Sequence, residues 1–169
     1  MFIFIAGTSG SGKSSYAETR LSELTLTAQK IYIATANSEE MPRRVELHKA
    51  RRQGKGFITI ERPKNLGALE IPKGSCVLIE ALTTWLANEM FCGGDFERIY
   101  YDFQKLRAKA EHVILVSDYI FSDGACCGEL TENYMKALGD LSVKFAAEAD
   151  EVIECFAGLT LQYKPYHNI

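Results

Sequence analysis

The chain begins with MFIFIAGTSGSGKSS, residues 1–15, in which a short apolar run leads directly into a glycine-rich loop. Residues 7–14 satisfy the pattern G-x-x-x-x-G-K-[ST], and the loop stands between a predicted strand and a predicted helix, as this phosphate-binding motif requires. The glycines let successive backbone N–H groups point at phosphate oxygens, and the following helix directs its positive dipole end at the same place. The stretch therefore predicts a strand, loop and helix that bind the phosphates of a nucleotide.

Two side chains of this loop are expected to act on the phosphates. Lys13 would neutralise the β- and γ-phosphates, and Ser14 would supply a hydroxyl to Mg²⁺. The predicted nucleotide-binding residues of the segment are Gly7, Thr8, Ser9, Gly10, Ser11, Gly12, Lys13, Ser14 and Ser15. The alternative is a chance glycine turn with a surface lysine, but the complete pattern in its strand and helix context favours nucleotide binding.

Further short apolar runs alternate with longer segments of helical spacing. Two runs, CVLI and HVILV, are continuously apolar, which is typical of parallel strands covered by helices on both faces. The predicted strands are 2–6, 30–34, 57–61, 75–79, 112–116 and 151–156, and the predicted helices are 14–24, 41–52, 83–91, 96–110 and 130–149. We therefore predict one α/β P-loop domain over residues 1–169, with a mostly parallel, doubly wound sheet and residues 159–164 pairing back as an antiparallel edge strand.

Length, charge and cysteine usage limit the class of protein. A chain of 169 residues suits a single domain. Lys and Arg number 19 against 22 Asp and Glu, a net charge of -3, so no global basic field attracts nucleic acid or anionic lipid. The apolar start is too short for a signal peptide or a membrane span. The cysteines lack zinc-site spacing and indicate a reduced, cytoplasmic compartment; they are Cys76, Cys92, Cys126, Cys127 and Cys155.

A P-loop enzyme also needs an acid at the end of a neighbouring strand, to orient Mg²⁺ or a metal-bound water. Glu80 ends the run CVLIE. Ligands of open parallel sheets bind at the carboxyl ends of the strands, where Gly7 and Glu80 would both lie. Asp118, which follows the 112–116 run, is the second candidate. For each acid the alternative is a solvated strand end or a helix cap.

A basic segment with one histidine lies between the second and third predicted strands. It reads EEMPRRVELHKARR, residues 39–52, and Pro42 is placed to begin a helix. On that helix Arg44, His48 and Arg51 share one side, so cations able to hold polyphosphate surround an imidazole able to attack an α-phosphate. Taken alone, such a segment is more often an ordinary solvated basic helix face than a catalytic one.

Together these segments resemble the bifunctional adenosylcobinamide kinase/adenosylcobinamide-phosphate guanylyltransferase family of cobalamin biosynthesis. The similar stretches follow the family's order over most of the chain; they are IAGTSGSGKSSYAE, IYIATANSEEMPRRVELHKARR, FITIERP, VLIEALTTWLANEMF and AAEADEVIECFAGLTLQYK. The resemblance implies a RecA-like P-loop domain, usually a homotrimer. Its substrates would be ATP, GTP and a corrinoid, with no nucleic acid or membrane span involved.

The same resemblance implies roles for individual residues. Lys13 and Ser14 would hold the nucleotide phosphates with Mg²⁺ while the aminopropanol hydroxyl of adenosylcobinamide is phosphorylated. His48 would then carry GMP as a covalent intermediate on its way from GTP to that phosphate. Glu80 occupies the family's metal-associated acid position, and Glu61 matches a family acid near the nucleotide.

The chain departs from the family pattern after the fifth predicted strand. The family has Asn-Glu-Val-Gly, a Gly-x-Val-Pro turn and a Phe-Arg-Asp helix, whereas residues 117–129 read SDYIFSDGACCGE and residues 133–136 read NYMK. Two interpretations stay open, an altered activity or substrate and a neutral change with the same chemistry. The rival functions are a P-loop small-molecule kinase that has lost nucleotidyl transfer and a non-catalytic nucleotide-binding protein.

Overall fold

The computed structural model describes residues 1–36, 54–120 and 128–164. Their strands are β1 (Phe2–Gly7), β2 (Lys30–Ala34), β3 (Phe57–Glu61), β4 (Cys76–Glu80), β5 (His112–Asp118), β6 (Glu151–Phe156) and β7 (Leu159–Lys164). Their α-helices are α1 (Lys13–Leu24), α2 (Leu82–Phe91), α3 (Ile99–Lys109) and α4 (Glu129–Glu148). Short 3-10 helices span Leu66–Ala68 and Phe96–Arg98, so α3 begins three residues later than predicted. The predicted helix 41–52 lies outside the described residues.

The strands lie in the order β3-β2-β4-β5-β1-β6-β7. Every neighbouring pair is parallel except β6 and β7, which are antiparallel. β5 lies between β1 and β4, so Gly7 pairs with Asp118 and Glu80 pairs with Val116. The predicted α/β class, the mostly parallel sheet and the antiparallel C-terminal strand are confirmed. The carboxyl ends of β1, β4 and β5 therefore lie side by side at one edge of the sheet.

Helices cover the sheet on both faces because β1 supplies side chains to two apolar layers. Phe2 and Phe4 point to one face, where they pack with residues of α2, α3 and α4. Ile3 and Ile5 point to the other face, where they pack with Leu21 and other residues of α1. Successive strand residues alternate between faces, so a continuously apolar strand is what a doubly covered sheet requires. No helix in the described part of the chain is both long and apolar enough to cross a membrane.

Candidate nucleotide site

The glycine-rich loop joins β1 to α1 at the carboxyl edge of the sheet. Gly10 and Gly12 have φ angles of 76° and 93°, which glycine adopts without the steric cost of a Cβ. The Ser11 N–H donates to the carbonyl of Thr8 at 3.2 Å, and the Gly158 N–H donates to the carbonyl of Ser11 at 3.0 Å. The loop is thereby fixed against the hairpin between β6 and β7.

The loop leaves hydrogen-bond donors available to an anion. Gly12 caps α1 without a side-chain hydrogen bond, and the first N–H groups of a helix have no partners within the helix. The hydroxyl of Ser11 is buried and makes no hydrogen bond to any described residue. Backbone donors, a hydroxyl and the positive end of a helix dipole are the groups that bind phosphate in such loops.

Lys13 lies in a buried ion pair at this loop. Its Nζ is 2.6 Å from Asp118 Oδ1, and it donates to the Thr8 carbonyl at 3.0 Å. The Lys13 side chain is 6% exposed and that of Asp118 18%. Asp118, the second acid candidate of the sequence, therefore contacts the lysine of the loop.

Asp118 is held in place by α2 and α4. Thr83 Oγ1 donates to Asp118 Oδ2 at 2.9 Å, and the Tyr134 hydroxyl donates to the carbonyl of Thr83 at 3.0 Å. Burial, with a smaller contribution from the Asp118 charge, raises the pKa of Tyr134 to about 12. The phenol therefore keeps its proton at physiological pH and remains a donor.

Glu80 ends β4, one strand beyond β5, and contacts Ser14. The Ser14 hydroxyl donates to Glu80 Oε1, and the hydroxyl of Tyr32 donates to Glu80 Oε2 at 2.8 Å in a buried hydrogen bond. Glu80 is 9% exposed. Both carboxylate oxygens are thus engaged, one by α1 and one by β2.

Ser14 and Glu80 offer the oxygen donors that Mg²⁺ prefers. A hydroxyl and a carboxylate lie within hydrogen-bond distance of each other beside the phosphate loop. Mg²⁺ in phosphate-transfer sites is bound by one or two such protein oxygens together with phosphate oxygens and water. The residues present therefore fit a magnesium ion.

The remaining predicted site residues are not brought to the loop within the described part of the chain. Glu61 ends β3 and is exposed. Three strands lie between β3 and β1, a separation of roughly 19 Å at about 4.8 Å per strand spacing. His48, Arg44 and Arg51 lie outside the described residues.

Sequence reasoning did not select Tyr32, Thr83 or Tyr134, which support the two acids. Thr83 follows the end of β4 by three residues. Because ligands of a parallel sheet bind at the carboxyl ends of its strands, a hydroxyl at that position could have been predicted to belong to the site. Tyr32 lies inside an apolar strand, where an aromatic side chain is expected for packing alone. Tyr134 reaches Thr83 only because α4 packs against α2, and no local pattern encodes that contact.

Known proteins resemble this chain in sequence and in fold. Residues 3–163 match the family model described as cobinamide kinase / cobinamide phosphate guanyltransferase. The chain is 32% identical to the bifunctional adenosylcobalamin biosynthesis protein CobP of Pseudomonas aeruginosa, over 95% of each chain.

Two solved structures are similar at lower identity. One is an ATPase domain with a TM-score of 0.49 and 12% identity, and the match covers 90% of this chain and 68% of that one. The flagellar accessory protein FlaH from Methanocaldococcus jannaschii has a TM-score of 0.48 and 12% identity, covering 97% of this chain and 78% of that one. The family match extends from β1 into β7, and the sequence similarity to CobP extends over almost the whole of both chains. The resemblance inferred from the sequence is confirmed, and the chain belongs to the cobinamide kinase / cobinamide phosphate guanyltransferase family of transferases.

Proposed function

We propose that this chain carries out both reactions of its family, with ATP, GTP and a corrinoid as substrates. It first phosphorylates the aminopropanol hydroxyl of adenosylcobinamide and then transfers GMP to the new phosphate. The observation that carries the proposal is the phosphate loop, with Lys13 buried beside it and the Ser14 hydroxyl in contact with Glu80 at the carboxyl end of β4. We further propose that residues 1–169 act as one P-loop domain.

In the kinase step the acceptor hydroxyl oxygen attacks the γ-phosphorus of ATP. The bond between the γ-phosphorus and the bridging oxygen breaks, ADP leaves, and the hydroxyl proton is released to solvent. Lys13, the loop N–H groups and the Ser11 hydroxyl stabilise the negative charge on the phosphate oxygens. Ser14 and Glu80 would hold Mg²⁺, which supplies further neutralisation of phosphate charge when bound.

In the guanylyl step we assign His48 as the nucleophile, supported by the family resemblance. A ring nitrogen attacks the α-phosphorus of GTP, a P–N bond forms, the bond to the bridging oxygen breaks, and pyrophosphate leaves. A phosphate oxygen of the phosphorylated corrinoid then attacks the same phosphorus and releases the imidazole. Arg44 and Arg51 would neutralise the phosphates and favour the neutral imidazole that this attack requires.

Intact-mass measurement after incubation with GTP and Mg²⁺ tests this assignment. We expect a GMP adduct that is lost in acid and survives alkali, as a phosphoramidate does. His48→Ala should block GMP transfer and spare phosphorylation of the corrinoid, because γ-phosphoryl transfer from ATP needs no covalent carrier. A GMP adduct that persists in His48→Ala, or loss of both activities in a folded His48→Ala variant, contradicts the assignment of GMP transfer alone to His48.

The kinase assignment is tested separately. Lys13→Ala should abolish phosphorylation of the corrinoid, whereas Lys73→Ala, which changes an exposed lysine, should not. Glu80→Gln should lower kcat, most strongly at limiting Mg²⁺, because it removes the charge beside Ser14. Wild-type turnover in Lys13→Ala would contradict the role of the phosphate loop.

We also propose a homotrimer in the cytoplasm. The trimer is supported by the family resemblance, and light scattering after gel filtration measures it directly. The compartment is supported by the free thiols of Cys76, Cys92 and Cys155, because such thiols persist where glutathione and thioredoxin keep them reduced. Fractionation of cells with an antibody against this chain tests the location.

A further inference from the structure

We propose that Asp118 is a specificity-determining residue that weakens triphosphate binding by holding the Lys13 ammonium in an ion pair. The inference rests on the proposed function, because it assumes that nucleotide phosphates bind at Lys13. Nζ and Oδ1 are 2.6 Å apart, and both side chains are largely buried. Asp118 Oδ1 accepts no hydrogen bond from other described residues, so the ammonium is its counter-charge in the described part of the chain.

A nucleotide must compete with this carboxylate for Lys13. The ammonium has three donors, and two of them serve Asp118 Oδ1 and the Thr8 carbonyl. To reach phosphate oxygens, Lys13 either leaves Asp118 or shares its charge with it. In both cases the nucleotide receives less than the full attraction of a lysine in such a loop.

Asp118 has little freedom to turn away when a nucleotide arrives. Its Oδ2 accepts from Thr83 Oγ1, whose residue is anchored in turn by Tyr134. Asp118 pairs with Gly7 across β5 and β1, and the next residue, Tyr119, donates its N–H to the carbonyl of Gly7 at 2.9 Å. The carboxylate therefore stays beside the loop and repels the phosphates that Lys13 attracts.

The repulsion is strongest for the nucleotide with most charge near Lys13. The lysine of a phosphate loop contacts the β- and γ-phosphates, so ATP is opposed more than ADP. A like charge within a few ångströms, in a partly buried site, changes affinity by at least about tenfold. Asp118 thus reduces the preference of the loop for triphosphate over diphosphate and favours nucleotide release.

Equilibrium binding of ATP and ADP with Mg²⁺, measured by calorimetry on the full chain, tests the inference. Asp118→Asn and Asp118→Ser should each bind ATP at least about tenfold more tightly than wild type, with a smaller gain for ADP. Asp140→Asn removes the same charge from an exposed position on α4 and should leave both affinities unchanged. The nucleotide-free Asp118 variants should melt at a lower temperature, because Lys13 loses its partner, and ATP should raise their Tm more than it raises that of wild type.

The outcomes separate the inference from the function on which it rests. Wild-type ATP binding that disappears in Lys13→Ala, with no gain in either Asp118 variant, overturns the inference and leaves the phosphate loop intact. Weaker ATP binding in both Asp118 variants also overturns it, because the carboxylate would then be helping to hold the nucleotide. No ATP binding by wild type or any variant contradicts both.

Discussion

Tyr32→Phe tests whether a buried phenol fixes the acid beside the phosphate loop. The change removes one hydroxyl, which donates to Glu80 Oε2 at 2.8 Å, from a side chain that is 3% exposed. The ring remains, and so does its edge-to-face contact with Phe57, in which the ring centroids are 6.4 Å apart. Volume and packing are therefore conserved, and the effect reports on the hydrogen bond.

The magnitude follows from the charge of the acceptor. A hydrogen bond to an ionised group contributes about 1.5–3 kcal/mol to stability, so we expect the free energy of unfolding to fall by about 2 kcal/mol. For a domain of this size each kcal/mol shifts the melting temperature by about 2–4 °C, which gives a decrease of roughly 4–8 °C. Glu80 would also be less well fixed against Ser14, so kcat for corrinoid phosphorylation should fall by roughly tenfold.

Thermal and urea denaturation, together with the kinase assay, measure both effects. Tyr101→Phe is the matched control, because Tyr101 is 57% exposed and its hydroxyl makes no hydrogen bond to a described residue. The double variant Tyr32→Phe, Glu80→Gln should be less destabilised than the sum of the single variants, since the two groups contact each other. Unchanged stability and kcat in Tyr32→Phe, or strict additivity in the double variant, would refute the reasoning.

Two further predictions concern stability. An added Cβ at Gly7 would lie 2.5 Å from the backbone oxygen of Cys155, so Gly7→Ala should destabilise by about 1–3 kcal/mol in urea denaturation. Gly139 lies in α4 with open space at the position of an added Cβ, so Gly139→Ala should instead raise the free energy of unfolding by about 0.5–1 kcal/mol. If Gly7→Ala and Gly139→Ala changed the free energy of unfolding in the same direction, the packing argument would be contradicted. The hydrogen bond that the Tyr100 hydroxyl donates is the largest cause of the lowered pKa of Glu148. Glu148 therefore stabilises the fold at pH values above the pKa that its carboxyl has in the unfolded chain. This stabilisation is lost as the pH falls through the lower pKa of the folded state. Glu148→Gln should therefore be less stable than wild type at neutral pH and converge with it in acid; a difference independent of pH would count against this.

The parts of the site that the sequence predicted are those encoded by consecutive residues. Lys13 and Ser14 stand at fixed places in a motif whose glycines set the backbone of the loop. Glu80 could be placed because a parallel sheet brings the carboxyl ends of its strands to one edge, whatever the order of those strands. The prediction therefore required only that CVLIE be a strand of the same sheet as β1.

The parts that the sequence did not predict depend on strand order and helix packing. Asp118 was a candidate for the metal side of the loop, but β5 is the direct neighbour of β1, so its terminal acid pairs with Gly7 and reaches Lys13. Tyr32 contacts Glu80 because β2 is the neighbour of β4. Neither adjacency can be read from the strands themselves, since each is an apolar run of similar length and composition.

The order of the strands also explains why Lys13 and Ser14, which are adjacent in sequence, contact different acids. The strand next to β1 brings Asp118 to Lys13, and the strand beyond it brings Glu80 to Ser14. In the proposed function Lys13 would act on phosphate charge and Ser14 on Mg²⁺, so one carboxylate would set how strongly phosphates are attracted and the other would set the ligands offered to Mg²⁺. We therefore expect Asp118 variants to change nucleotide affinity and Glu80 variants to change metal dependence, because the two acids are on different strands and contact different helices and tyrosines.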